Sequence, residues 1–130
     1  MDKNEFIEGF LAHRFDTATA HRLRAKIEPL LKEVLLAAWP DVEDKLHELH
    51  IDLTGGSYFC HRPGSTIFLY ADQLINRHDE AIKSIVAHEL AHFCLGHKGT
   101  FFKEQEEADE LVRKWGFGLG LVMIKNSAKT

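Results

Sequence analysis

Residues 79–96 read DEAIKSIVAHELAHFCLG. Acidic residues open the stretch, apolar residues recur at helical spacing, and a glycine closes it at position 96. This order predicts a helix from about Asp79 to Leu95, with Asp79 as its N-cap and Gly96 marking its end. The apolar residues between those ends indicate that one face of the helix is buried: Ile82, Ile85, Val86 and Leu90.

The same helix carries the sequence His88-Glu89-Leu90-Ala91-His92. Residues four apart lie on one helix face, so His88 and His92 can present two imidazole nitrogens to a single Zn²⁺. Glu89 follows the first histidine and is expected to act as the general base toward a water whose pKa zinc lowers to about 7. Histidines that only pack or face solvent are the alternative, but two imidazoles and a carboxylate buried without partners would be costly.

The regions around this helix predict an α+β domain. N-terminal helices come first, then a small sheet of two to three strands, then the His-Glu-x-x-His helix and a glutamate-rich helix. With 130 residues the chain is expected to be a single domain. The predicted helices cover about 4–13, 17–38, 79–95 and 103–114, and the predicted strands are the run that ends in the alternation 49–53, Tyr58–His61 and Thr66–Tyr70.

Charge and composition exclude several classes of function. The chain has 16 basic and 20 acidic residues, a formal net charge of −4, and no basic patch, so we expect no nucleic-acid partner. Its longest apolar stretch, Leu119–Ile124, is far shorter than the roughly 20 residues of a membrane span. The N-terminus does not read as a signal peptide. These features predict a cytoplasmic protein without a membrane partner.

Residues 66–117 resemble the catalytic core of the gluzincin metallopeptidases, especially the short, soluble, single-domain kind. The resemblance rests on the strand Thr66–Tyr70, the His-Glu-x-x-His helix and Glu107-Ala108-Asp109 in the next helix. It implies a Zn²⁺-dependent peptidase whose protein or peptide substrate binds as an extended strand along 66–70. It also implies that Asp109, which matches the aspartate of the family's Glu-x-x-Ala-Asp signature, holds a zinc-bound histidine by a hydrogen bond.

The third zinc ligand is where the chain departs from that family. Gln105 stands four residues before Asp109, at the position of the family's ligating glutamate. Because glutamine is a poor zinc ligand, we expect Glu106, which shares a helix face with Asp109, to bind the metal instead. His97, Glu107 and Asp109 are the alternatives.

Three functions are compatible with these residues. A zinc metallopeptidase is the leading prediction, because a purely structural zinc site has no need of Glu89. The departure at Gln105 favours a second possibility, a catalytically inactive zinc-binding or interaction module. A zinc hydrolase of a non-peptide amide or ester is the third.

Overall fold

The chain combines helices with one small parallel sheet, and it divides into two compact units, Met1–Arg77 and His78–Thr130. The computed structural model describes residues 2–17, 21–54, 66–96 and 102–128. Helices followed by a small sheet and further helices confirm the predicted α+β class. The prediction of one domain over 1–130, with a catalytic core at about 66–117, stays a prediction.

The first unit contains both helices and the sheet. Its helices among the described residues are α1 (Lys3–Arg14), α2 (Arg24–Ala37), α3 (Trp39–Val42) and α4 (Ala71–Leu74). Its strands are β1 (Phe15–Asp16), β2 (His50–Thr54) and β3 (Thr66–Tyr70), and single 3-10 turns lie at His21–Leu23 and Leu46–Glu48.

Helix α2 is shorter than the sequence predicted. A helix was expected over about 17–38, but a 3-10 turn precedes α2, which begins at Arg24. Its end agrees with the predicted one to within a residue, since α2 ends at Ala37. The chain then starts α3, where a proline in the first turn costs no helical hydrogen bond.

The sheet has the strand order β1-β2-β3, and both pairings are parallel. Burial alternates along β2 and β3, with Ile51, Leu53, Ile67 and Leu69 inward, as period-2 patterns predict. Strand β3 has the predicted bounds. The two residues of β1 are too few to produce a pattern, so this strand was missed. The predicted strand Tyr58–His61 lies outside the described residues.

The second unit consists, in its described part, of α5 (Asp79–Leu95), α6 (Phe102–Lys114) and α7 (Gly118–Ala128). The N-cap of α5 is His78, not Asp79 as predicted, because the His78 Nδ1 atom accepts a hydrogen bond from the Glu80 amide at 3.2 Å. Gly96 ends α5 in the left-handed conformation at φ 69°, which glycine adopts at little cost.

Helix α7 was not predicted, and Gly120 explains how it packs. A Cβ atom at this position would lie 2.0 Å from Ser84 Oγ and 2.2 Å from the Glu80 carbonyl oxygen, so only glycine allows α7 to approach α5 this closely. The Ser84 hydroxyl also donates a hydrogen bond to the Phe117 carbonyl. Of the helices described, none is both long and apolar enough to cross a membrane.

Candidate metal centre

The two motif histidines meet on one face of α5, as their spacing predicts. His88 and His92 are both half-buried, and their rings are edge to face, with centroids 4.6 Å apart and an interplanar angle of 87°. Their Nε2 atoms are 3.0 Å apart. Two nitrogens that close can share a single cation.

Helix α6 adds a third donor atom. Gln105 Oε1 lies 2.7 Å from His88 Nε2 and 3.1 Å from His92 Nε2. Ala108 and Val112 are fully buried, and they follow Gln105 at the i+3 and i+7 positions of the same face. Burial of this face of α6 therefore also places Gln105 beside the two histidines.

Asp109 orients the His88 ring through a hydrogen bond to its Nδ1 atom. Its Oδ1 atom lies 2.9 Å from His88 Nδ1, and both side chains are about one-fifth exposed. A carboxylate can only accept, so His88 Nδ1 carries the hydrogen. The other ring nitrogen, Nε2, then presents its lone pair toward His92 and Gln105.

With both imidazoles neutral and the Gln105 amide oxygen facing them, the three atoms of this triangle share fewer hydrogens than they have contacts. His88 Nε2 and Gln105 Oε1 both accept, and the edge that joins them is the shortest. His92 Nε2 can bring at most one hydrogen, which serves one of its own two edges. A cation shared by the three atoms would satisfy all of them.

Zinc fits this arrangement in distance and, for two of the three ligands, in chemistry. Zinc ligands at bond lengths of about 2.0–2.1 Å lie about 3.3 Å apart on a tetrahedron. The three distances here are 3.0, 2.7 and 3.1 Å. To bind zinc, the atoms would have to move apart by about 0.2–0.6 Å. Within residues 2–17, 21–54, 66–96 and 102–128, no group of three or more His, Cys, Asp or Glu could hold a metal. A metal bound by His88 and His92 would therefore need Gln105 Oε1, a neutral amide oxygen, as its third protein ligand.

Glu89, the predicted general base, follows His88 on α5 and is half-buried. Among the described residues, none forms a hydrogen bond or an ion pair with its carboxylate. Its place next to His88 in the chain is the basis for the predicted role as general base.

Glu106, the predicted third ligand, is exposed on α6. The oxygen beside the histidines belongs to Gln105 instead. The reason is helix geometry, because Gln105 is four residues from Asp109 and shares its face, whereas the next residue is rotated by about 100°. Glu107, an alternative, lines a shallow groove with Leu95, Leu111 and Lys114. His97 lies outside the described residues.

The residue that sequence reasoning undervalued is Gln105. The structure places its amide oxygen beside the two histidines, whereas its weak ligand chemistry had favoured Glu106 in the sequence prediction. Comparison with protein-family models, with curated proteins and with solved structures found no match. The resemblance to gluzincin peptidases therefore rests on the motif residues alone.

Proposed function

We propose that the chain is a zinc-dependent metallopeptidase whose metal is held by His88, His92 and Gln105. One observation carries this proposal, the triangle of 3.0, 2.7 and 3.1 Å formed by two imidazole nitrogens and an amide oxygen. Asp109 supports it, because a carboxylate hydrogen-bonded to the far nitrogen of a histidine is the usual partner of a zinc ligand.

Glu89 gives the proposed site its catalytic character. When bound, zinc would supply Lewis acidity toward a water molecule and toward the carbonyl group under attack. Glu89 would accept the proton of the attacking water and later deliver it to the leaving amine. Asp109 would keep His88 in the required tautomer during these steps, through the contact at 2.9 Å.

The proposed substrate is a protein or peptide segment bound as an extended strand. The choice rests on the resemblance to gluzincin peptidases, which implies an extended substrate along 66–70. The backbone groups of an edge strand can pair with an added strand.

A non-catalytic zinc-binding module is the second candidate, and Gln105 is the observation that favours it. An amide oxygen carries no net charge, so it binds Zn²⁺ more weakly than a carboxylate does. The presence of Glu89 on the histidine helix distinguishes the two candidates, since only the peptidase needs a base there.

The deciding experiment is Glu89→Gln, assayed with zinc-loaded protein on a mixed library of quenched fluorescent peptides. We expect hydrolysis to fall by at least about 100-fold while zinc remains bound, because the base is lost and the ligands are kept. Glu110→Gln makes the same change at an exposed position of α6 and should leave the rate unaltered.

Two results would contradict the proposal. If Glu89→Gln cleaves peptides within about tenfold of the parent, another residue is the base. If the zinc-loaded parent cleaves nothing in the library, the non-catalytic module is the better account.

A further inference from the structure

The apolar run Leu119–Ile124 lies within α7 and takes no part in the site described above. Helix α7 packs closely against α5 through Gly120, but Leu119 and Val122 are 61% and 54% exposed. Met123 is half-buried and lies on the same side, because residues three and four apart share a helix face. We call these three side chains the outer face of α7.

The sequence around this face is basic, in contrast to the rest of the chain. Residues 111–130 contain Arg113, Lys114, Lys125 and Lys129 and no aspartate or glutamate, whereas the formal net charge of the whole chain is −4. The remaining residues are therefore more acidic than the total indicates. Basic residues on both sides of an apolar helical segment are typical of a surface that binds an anionic partner.

The contacts of the second unit bring positive charge to α7 itself. Arg113 is exposed, and its Cγ atom lies 3.2 Å from the position that a Cβ atom would have on Gly118. The carboxylate of Glu80, whose carbonyl Gly120 approaches, is paired with Lys83 at 2.7 Å. Asp79 in the same turn is exposed and offsets part of the charge of Arg113.

We propose that the outer face of α7 binds the surface of a lipid bilayer that contains anionic lipid. Leu119 and Val122 would enter the boundary between headgroups and acyl chains, and the basic residues would meet the anionic headgroups. A second copy of the chain fits less well, because pairing the same face would bring like charges together. A bilayer also accepts protruding side chains without a complementary groove.

The proposed contact lies on the surface of the bilayer and needs neither a membrane span nor a metal. The expectation of no membrane partner considered a span and the total charge. A surface contact depends instead on charges within about 10 Å, beyond which salt screens them. This inference is therefore independent of the proposed peptidase activity.

The test is co-sedimentation of the full chain with vesicles of phosphatidylcholine alone or with about one-third phosphatidylserine. Leu119→Gln is compared with Ile75→Gln, which makes the same change at an apolar side chain that is 50% exposed in the first unit. Arg113→Gln is compared with Arg22→Gln, since both arginines are exposed. Immobilised poly-glutamate serves as a model of an acidic protein partner.

We expect the parent to bind the vesicles with phosphatidylserine and to prefer them to phosphatidylcholine alone. Leu119→Gln should bind at least about fivefold more weakly because apolar burial is lost. Arg113→Gln should bind about fivefold more weakly because one charge is lost. Both control variants should bind within about twofold of the parent, and all four variants should unfold at the urea concentration of the parent.

Three results would overturn this inference. The parent could show no preference for vesicles that contain phosphatidylserine. Leu119→Gln could bind as tightly as Ile75→Gln, which would exclude the outer face of α7 as the contact. Binding to poly-glutamate without binding to vesicles would indicate an acidic protein as the partner in place of a bilayer.

Discussion

Two polar clusters, one in each unit, differ in how their donors and acceptors are matched. In the first unit the Arg24 guanidinium donates to the carbonyls of Leu11 at 2.8 Å and Phe15 at 3.1 Å, and it pairs with Glu28 at 3.3 Å. It also stacks over the Phe15 ring at 5.1 Å. A cation with five N–H groups here meets acceptors only.

In the second unit, by contrast, the atoms that meet are mainly hydrogen-bond acceptors. His88 Nε2, His92 Nε2 and Gln105 Oε1 lie within 3.1 Å of one another. With neutral imidazoles and the amide oxygen facing them, they bring at most one hydrogen among them. The Arg24 cluster contains its own cation and is complete, which is typical of a structural element. The atoms that meet in the histidine cluster are of the kinds that bind cations, which is why we propose a zinc site there.

We expect a large effect of a single substitution on the stability of the first unit. Arg24→Ala would leave the Leu11 and Phe15 carbonyls and the Glu28 carboxylate without their shared donor. We expect a loss of about 2–3 kcal/mol in the free energy of unfolding, measured by urea denaturation. Zinc affinity should stay within about twofold of the parent.

Arg22→Ala is the matched control, because Arg22 is exposed and two residues away. It should change the free energy of unfolding by less than about 0.5 kcal/mol. If the two arginine variants are equally stable, the Arg24 cluster is not the structural element described here.

A smaller effect is expected in the second unit, on metal binding. Asp109→Asn removes the carboxylate that orients His88, so zinc affinity should fall by about 10- to 100-fold in a chelator competition. Glu106→Gln, on the exposed side of the same helix, should change zinc affinity by about twofold at most. A larger loss from Glu106→Gln than from Asp109→Asn would restore Glu106 as the third ligand.

Long periodic segments were the part of the fold that the sequence could predict. α5 and β3 have strong 3.6- and 2-residue patterns, and the predicted ranges, about 79–95 and 66–70, match their bounds. α3 and α4 have four residues each, too few for a period. α7 is largely apolar, and its packing depends on the contact of Gly120 with Ser84, which only the tertiary structure brings together.

The candidate site was predictable to the extent that it depends on one helix. Four-residue spacing places His88 and His92 on one face wherever the helix lies. Which residue of α6 lies beside the histidines depends on how α6 packs against α5. The ligand chemistry of glutamine had made Gln105 an unfavoured choice. Zinc prefers a carboxylate to an amide oxygen, so ligand preferences could not indicate that Gln105 would lie beside the histidines.

Zinc binding itself is the measurement that tests the central claim most directly. Protein stripped with a chelator and dialysed against zinc should retain about one zinc per chain by elemental analysis. In a competition titration, His92→Ala should lose at least about 100-fold in affinity, because a first ligand costs more than an orienting residue. His13→Ala, an exposed histidine of α1, should bind zinc as the parent does. The proposed metal centre is wrong if the parent retains no zinc or if His92→Ala binds zinc as tightly as the parent. The contacts among His88, His92 and Gln105 would then be hydrogen bonds, with the Gln105 amide nitrogen facing the histidines.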